Sequence, residues 1–178
     1  MRAVLLALVR LVAPVVPHTA EEVWDHIERK DEEAPSVHLA HWPEPPAEWH
    51  DAELLERWRK VALVRSDVLR EIEKLRAARE LGGSLEASVR LGAEGELLDF
   101  LRRFEGLWPA IFIASTVEVC EGAVEGAAGE DCPGLTVSVS KSEHPKCVRC
   151  WNHLPTVGSD ADHPELCARC AEVVRSAE

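Results

Sequence analysis

The chain has 178 residues, 46% of them apolar and 29% charged, which is enough for a hydrophobic core in one domain or in a domain with a small module. Twenty bases against 32 acids give a formal charge of −12, which argues against a free-standing nucleic-acid binder. No apolar run is long enough to span a bilayer, so no membrane partner is expected.

The opening "MRAVLLALVRLVAPVVPHTAEE" is interrupted by Arg10 and continues into a helical period, so it reads as part of the folded protein rather than a leader. Residues 2–12 predict a helix with Val4, Leu5, Leu8, Val9 and Val12 as its apolar stripe. Pro14 and Pro17 break the chain. "HTAEEVWDHIERK" predicts a second helix, with Thr19 at the N-cap, Glu21 and Glu22 in the first turn, and Val23, Trp24 and Ile27 facing inward. Residues 34–50 are proline-rich and read as a surface linker pinned by Trp42 and Trp49.

Residues 51–80 carry the strongest helical pattern, with Leu54, Leu55, Trp58, Val61, Ala62, Val68, Leu69, Ile72 and Leu75 three or four residues apart. Asp51 is the expected N-cap, and Gly82-Gly83 the expected stop. Charge changes sign here. Residues 21–56 hold twelve acids against Arg29 and Lys30, whereas residues 57–80 hold eight bases against four acids. Arg59, Lys60, Arg70, Lys74, Arg76 and Arg79 lie largely off the stripe, either as an ion-paired solvated face or as a track for an RNA backbone.

"SLEASVRL" then alternates as a strand, "GELLDFLRRF" reads as a short helix, "PAIFIAST" as a buried strand and "LTVSVSKS" as an alternating strand. "EGAVEGAAGEDCPG" is a turn-rich loop. The expected fold is α+β in three parts: residues 1–80 helical, residues 81–140 a small α/β junction unit, and residues 141–178 a metal ribbon.

Cys147, Cys150, Cys167 and Cys170 have the spacing C-x2-C-x16-C-x2-C. Two intervening residues let one knuckle present both sulfurs to the same ion, and sixteen let the chain return with the second pair. Four sulfurs fill a tetrahedral shell and leave no position for a reacting water, so one structural Zn2+ is expected; two disulfides or buried thiols are the alternative. His144, His153 and His163 are expected at the surface or behind the ligands, and Cys120 and Cys132 as buried free thiols. The chain contains no P-loop, dinucleotide fingerprint, HExxH or GxSxG, and no catalytic residue is assigned.

Three stretches carry a family resemblance. "RLVAPVVPHTAEEVWDHI", "VRSDVLREIEKLRAARELGGSLEASVRL" and "CVRCWNHLPTVGSDADHPELCARC" together resemble the C-terminal portion of bacterial isoleucyl-tRNA synthetases, class I aminoacyl-tRNA ligases. The first looks like the anticodon-binding helical domain that the valyl and leucyl enzymes share; the third is similar to the terminal zinc module of the isoleucyl enzymes. The resemblance implies a non-catalytic fragment of a cytoplasmic ligase. ATP and Mg2+ would belong to a catalytic domain upstream, and the partners would be the isoleucine tRNA anticodon stem-loop and the rest of the synthetase. His18 and Gly83 depart from the family's common pattern. Formamidopyrimidine-type DNA glycosylases end in a similar ribbon but need an N-terminal proline nucleophile, where this chain has Arg2. A valyl or leucyl enzyme, and a zinc ribbon serving protein–protein contact, are the other readings. Trp151 is either a lid over the ribbon or a stacking platform for an unpaired base, with Arg149 and Asn152 as flanking donors and Arg70 and Lys74 as backbone contacts.

Overall fold

A computed structural model describes residues 1–28 and 34–176. They divide into two compact units, residues 1–52 and 53–178. No helix among them is long and apolar enough to cross a membrane.

The first unit holds helices α1 (Arg2–Val12) and α2 (Pro17–His26) and two 3-10 turns, Val37–Leu39 and Ala47–Trp49. Its core is Leu6, Val9, Ala13, Ala20, Trp24 and Val37. The buried face of α1 is therefore Leu6–Val9–Ala13, and the expected stripe is displaced: Val4, Leu5 and Leu8 are exposed. Apolar residues surround α1 on all sides, so the period alone does not say which face Trp24 covers. Helix α2 starts two residues before Thr19, at Pro17, whose fixed φ suits a first turn. Glu21 thus lies past that turn. Its carboxylate accepts instead from Ser36 Oγ at 2.9 Å and Val37 N at 3.0 Å. The helix ends at His26, with Ile27 extended, short of the expected end. Arg29 and Lys30 of that expectation lie outside the described residues. Trp42 and Trp49 are exposed, so neither pins the proline-rich segment. That task falls to buried Val37 and to Trp24 Nε1, which donates to Ala34 O at 3.0 Å.

The second unit packs one face of the long helix α3 (Ala52–Ala77) on a mixed four-stranded sheet. The strands β1 (Ala87–Ala93), β2 (Thr116–Glu121), β3 (Ala127–Ala128) and β4 (Thr136–Lys141) lie in the order β2-β1-β4-β3. β1 runs parallel to β2, with Val89 opposite Val117, and antiparallel to β4, with Val89 opposite Val139. Its alternate residues Ala87, Val89, Leu91 and Ala93 are buried, as period-two patterning requires. Gly92 admits no side chain, because a Cβ there would stand 2.5 Å from Gly122 O. The stripe of α3 that meets the sheet is Val61, Val64, Val68 and Ile72, while Leu54, Leu55, Trp58 and Ala62 are exposed.

Helices α4 (Gly95–Arg103) and α5 (Trp108–Phe112) connect β1 to β2. "PAIFIAST" is thus corrected from a strand to the end of a helix and a turn, and the strand is the next stretch, "TVEVCE". Phe100, Phe104, Trp108 and Phe112, four residues apart, form a ladder of rings with centroids 5.1 to 5.6 Å apart. Trp108 is fully buried and donates Nε1–H to Leu101 O at 2.8 Å, which satisfies the indole inside the core.

α3 ends differently from expectation. Arg79, not a glycine, takes the left-handed conformation (φ 60°), and Glu80 N closes on Leu75 O at 2.9 Å while Arg79 N closes on Arg76 O at 3.0 Å. This is a Schellman stop three residues before Gly82.

Inside α3, Asp67 is buried and its carboxylate gathers four donors. Glu130 N, Asp131 N and Arg70 Nη1 reach Oδ1 at 3.0, 3.0 and 2.7 Å, and Cys132 N reaches Oδ2 at 2.9 Å. Arg70 Nη2 and Ser66 Oγ continue to Asp131 at 2.7 Å each. The hydroxyl of Ser66 and the guanidinium of Arg70 hold the Asp131 carboxyl below its usual range. Most other bases of α3 also have partners: Lys74 pairs with Glu71, Arg76 with Glu73 and Arg59 with Glu56, Arg65 Nε donates to Ile111 O at 3.0 Å, and Lys60 lies 4.6 Å over the Phe100 ring.

Asp67→Ala would strand the buried N–H groups of residues 130–132 and leave Arg70 without its buried partner. We expect it to destabilise the second unit by about 3–5 kcal/mol in urea unfolding. Arg79→Gly relieves a left-handed side chain and should stabilise by about 1 kcal/mol. Because the folded Asp131 carboxyl titrates below its unfolded value, its contribution is present at neutral pH and is lost as pH falls below about 4, which stability measured against pH will show.

Candidate metal centre and adjoining cleft

Residues 145–176 carry few apolar side chains, and what they bury is mostly sulfur. Cys147, Cys167 and Cys170 are buried, Cys150 is half-buried, and Leu154, Val157 and Leu166 pack beside them. The first pair sits on a tight knuckle closed by Cys147 N to Asn152 O and Trp151 N to Cys147 O, both 2.9 Å. The second pair begins at Cys167 and enters helix α6 (Ala168–Arg175), which brings Cys170 back beneath the first.

All four Sγ atoms lie within 4.8 Å of one another, and none is in a disulfide. Cys150 and Cys167 Sγ are 3.8 Å apart. A tetrahedral shell with Zn–S bonds near 2.3 Å has sulfur–sulfur edges of about 3.8 Å, so the four residues fit one Zn2+. The ion would link both knuckles and, with four thiolates, would have no open position for chemistry.

The thiols are electrostatically unequal. Burial pushes Cys147 up, but the backbone N–H groups of Cys150, Cys167 and Arg149 outweigh it and bring the thiol down to about 6. Burial and the neighbouring sulfurs push Cys167 up to about 12. Burial also raises Cys170, yet the Arg149 guanidinium beside it leaves a net downward shift. Cys147 and Cys170 thus give up their protons more readily than an ordinary thiol, and Cys167 less readily, so a cation must displace the proton of Cys167 on binding.

Arg149 and Asn152, read in sequence as donors flanking Trp151, each direct a donor to sulfur: Arg149 Nη1 to Cys170 and Asn152 Nδ2 to Cys150, both at 3.6 Å. Arg169, which sequence reasoning missed, lies close enough to the Cys170 and Cys150 sulfurs for them to hold its guanidinium pKa above the usual value. The four-sulfur group includes no histidine. His153 is mounted elsewhere, its Nδ1 2.9 Å from His144 O and its N–H donating to Ser115 Oγ at 2.6 Å. Ser115 is buried and in turn donates to Leu85 O, which ties the ribbon to the sheet. Cys132 is buried as expected. Cys120 is only half-buried, on the edge strand β2, where Arg90 Nη2 approaches its sulfur at 3.5 Å.

A cleft of about 370 Å³ adjoins the ribbon, lined by Trp151, Lys146, His153 and Ile113 and by the backbone of Gly82-Gly83. Trp151 is 61% exposed, with Lys146 Nζ 5.6 Å from its ring centroid. Trp151 (φ 66°) and Ile113 (φ 56°) both hold left-handed backbones, a conformation that costs a side-chain-bearing residue about 1–2 kcal/mol. Two such residues on one cleft are the kind of stored strain that collects at working sites. Arg70 and Lys74 are not among the lining residues of this cleft.

The sequence pattern of the anticodon-binding domain of tRNA ligases matches residues 1–91, and that of the zinc finger found in FPG and IleRS matches residues 145–173. The chain is 43% identical to the isoleucine–tRNA ligase of Geobacter sulfurreducens over 98% of its length, and 45% identical to that of Desulforudis audaxviator over 97%. The ligase of Brachyspira hyodysenteriae is 40% identical over 97%. The chain spans 19%, 19% and 18% of these three relatives, about a fifth of their length.

Metal binding in ribbons of this kind supplies on the order of 10 kcal/mol of folding free energy. Cys147→Ser or Cys170→Ser should therefore abolish the one bound zinc and remove hydrogen-exchange protection from residues 145–176, with β1 and β4 still protected. Zinc analysis together with exchange mass spectrometry checks both halves of this expectation.

Proposed function

We propose that this chain, which belongs to the anticodon-binding domain family of tRNA ligases, binds the anticodon stem-loop of an isoleucine-accepting tRNA as part of a bacterial isoleucine–tRNA ligase. The ligase would join isoleucine to its tRNA with ATP in the cytoplasm. ATP and Mg2+ would be held by other parts of that enzyme, and the rest of the synthetase would be this chain's protein partner. The chain itself would contribute a binding surface and a structural zinc, with no catalytic residue.

The observation that carries this reading is the exposed Trp151 ring at the mouth of a cleft beside Lys146. Anticodon loops present unstacked bases, and an open indole accepts one on its face. Lys146, 5.6 Å from that ring's centroid, would meet the adjoining phosphate. Arg149 is exposed and keeps N–H donors beyond the one on sulfur, and Asn152 keeps its amide oxygen, for the edge of the base. Lys74, paired with Glu71 in an exposed bridge worth little in water, can exchange that partner for a phosphate. Arg70 would have to leave Asp131 to do the same. A charge of −12 suppresses indiscriminate binding elsewhere on the surface, which suits a contact made by a few local cations and one ring.

Trp151→Ala should weaken binding of the isoleucine tRNA anticodon stem-loop by roughly 1–3 kcal/mol with zinc content unchanged. Lys74→Glu should reduce the salt dependence of binding by about one phosphate contact. Stem-loop affinity that is unaltered in Trp151→Ala would return the ring to a structural role, and no affinity in the parent chain would favour a protein-binding ribbon.

A further inference from the structure

The two cysteine pairs share more than their spacing. Residues 147–150 read C-V-R-C and residues 167–170 read C-A-R-C, so each knuckle carries an arginine at the same place between its ligands. The tRNA reading does not explain that repeat, since Arg169 is not a lining residue of the cleft. The geometry explains it. Arg149 donates across the site to Cys170, a ligand of the other knuckle, at 3.6 Å. Arg169 is the second cation of the centre, near enough to Cys170 and Cys150, one ligand from each knuckle, for both sulfurs to raise its pKa. Asn152 donates to Cys150 at 3.6 Å, and Cys167 N donates to Cys147 Sγ at 3.3 Å.

Charge gives the reason. Four thiolates around a divalent cation leave a centre of −2 inside a chain that is itself strongly acidic. Two guanidiniums bring that centre to neutrality. Each N–H···S bond also withdraws electron density from a thiolate and fixes its direction, so that a ligand which dissociates is held where it can rebind. Access is uneven as well. Cys150 is the least buried of the four ligand residues, the one an external chelator reaches first, and Asn152 directs a donor at its sulfur.

We propose that Arg149 and Asn152, as N–H···S donors, and Arg169, as a nearby cation, are positioning residues of the metal centre that set how tightly the ribbon retains Zn2+. Arg149 then serves two purposes, with one donor on sulfur and the others facing outward. Asn152 likewise joins the exposed knuckle to the ligand it covers.

The test uses the full chain loaded with zinc, titrated against a chromogenic chelator of known affinity, and the same protein loaded with Co2+, whose sulfur-to-metal charge-transfer band reports electron density on the thiolates. Arg149→Ala and Arg169→Ala should each weaken zinc binding about 10–100-fold. Arg149→Lys should recover part of that loss by restoring charge without the planar fork. The Co2+ band should move to longer wavelength in each Ala variant, a shift that a purely architectural role for these side chains would not produce. Should the Arg variants fail to fold, Asn152→Ala, which removes one donor at Cys150, carries the same two readouts. Zinc affinity and band position equal to those of the parent in the Arg149→Ala, Arg169→Ala and Asn152→Ala variants would overturn the proposal. RNA is absent from the test, so its failure leaves the tRNA reading untouched.

Discussion

In residues 145–176 sulfur stands where a larger domain would place its hydrophobic core, and the geometry of the ribbon depends on that substitution. Three sulfurs are buried, and Leu154, Val157 and Leu166 are only partly so, too little apolar area for a segment of this size to hold itself together. The knuckle that sets the sulfurs also sets Trp151, because the Trp151 N–H bond to Cys147 O closes the same turn that carries Cys147 and Cys150. The left-handed backbone at Trp151 follows from this closure. Ligand geometry and ring presentation are one conformational event, so a contact made by the ring is only as well defined as the metal site beneath it.

The second unit relies on a comparable concentration of bonds at Asp67. The loop between β3 and β4 contains glycines, acids and one proline, and has little apolar surface of its own. It is ordered because three successive backbone N–H groups, residues 130–132, converge on one buried carboxylate of α3. Gly129 precedes them because a Cβ there would stand 2.7 Å from Asp67 Oδ2. Arg70 balances the carboxylate and is drawn into the fold by it. A base that looks free in a sequence is thereby accounted for by an acid three residues away, and net charge along a helix is a poor guide to which cations face outward.

Legibility in the sequence followed the range of the interaction concerned. The cysteine spacing is a local rule of metal chemistry, and the four sulfurs converge as that spacing requires. Strands β1 and β4 were legible from alternation of apolar and small or polar residues, and the long helix from its three- and four-residue spacing, although only its C-terminal part, from Val61 to Ile72, buries that stripe. Helix α5 was not, because "PAIFIAST" is apolar at nearly every position and so fits either period. The available signal was the aromatic spacing of four from Phe100 to Phe112, which crosses the boundary between two elements. The end of α3 was misplaced because Gly82-Gly83 is the stronger stop by composition, while the chain accepts a left-handed arginine at residue 79. Arg149 and Asn152 were located as residues, but which side of the knuckle their donors serve depends on the return of the second pair, which no local pattern encodes.

The attachment of the ribbon to the sheet has a mechanical consequence. Three hydrogen bonds contribute to it: Ser142 N to Glu86 O at 2.7 Å, His153 N to the hydroxyl of Ser115, and that hydroxyl to Leu85 O. Two of them end on the 3-10 turn Ser84–Glu86, just after Gly82-Gly83, and the third reaches it through Ser115. Two anchor points on adjacent carbonyls resist pulling apart but offer little leverage against rotation about the line joining them. Rotation about that turn is the displacement these bonds oppose least, and it is also the one that would alter the width of the cleft beside Trp151, whose walls are the turn and the ribbon.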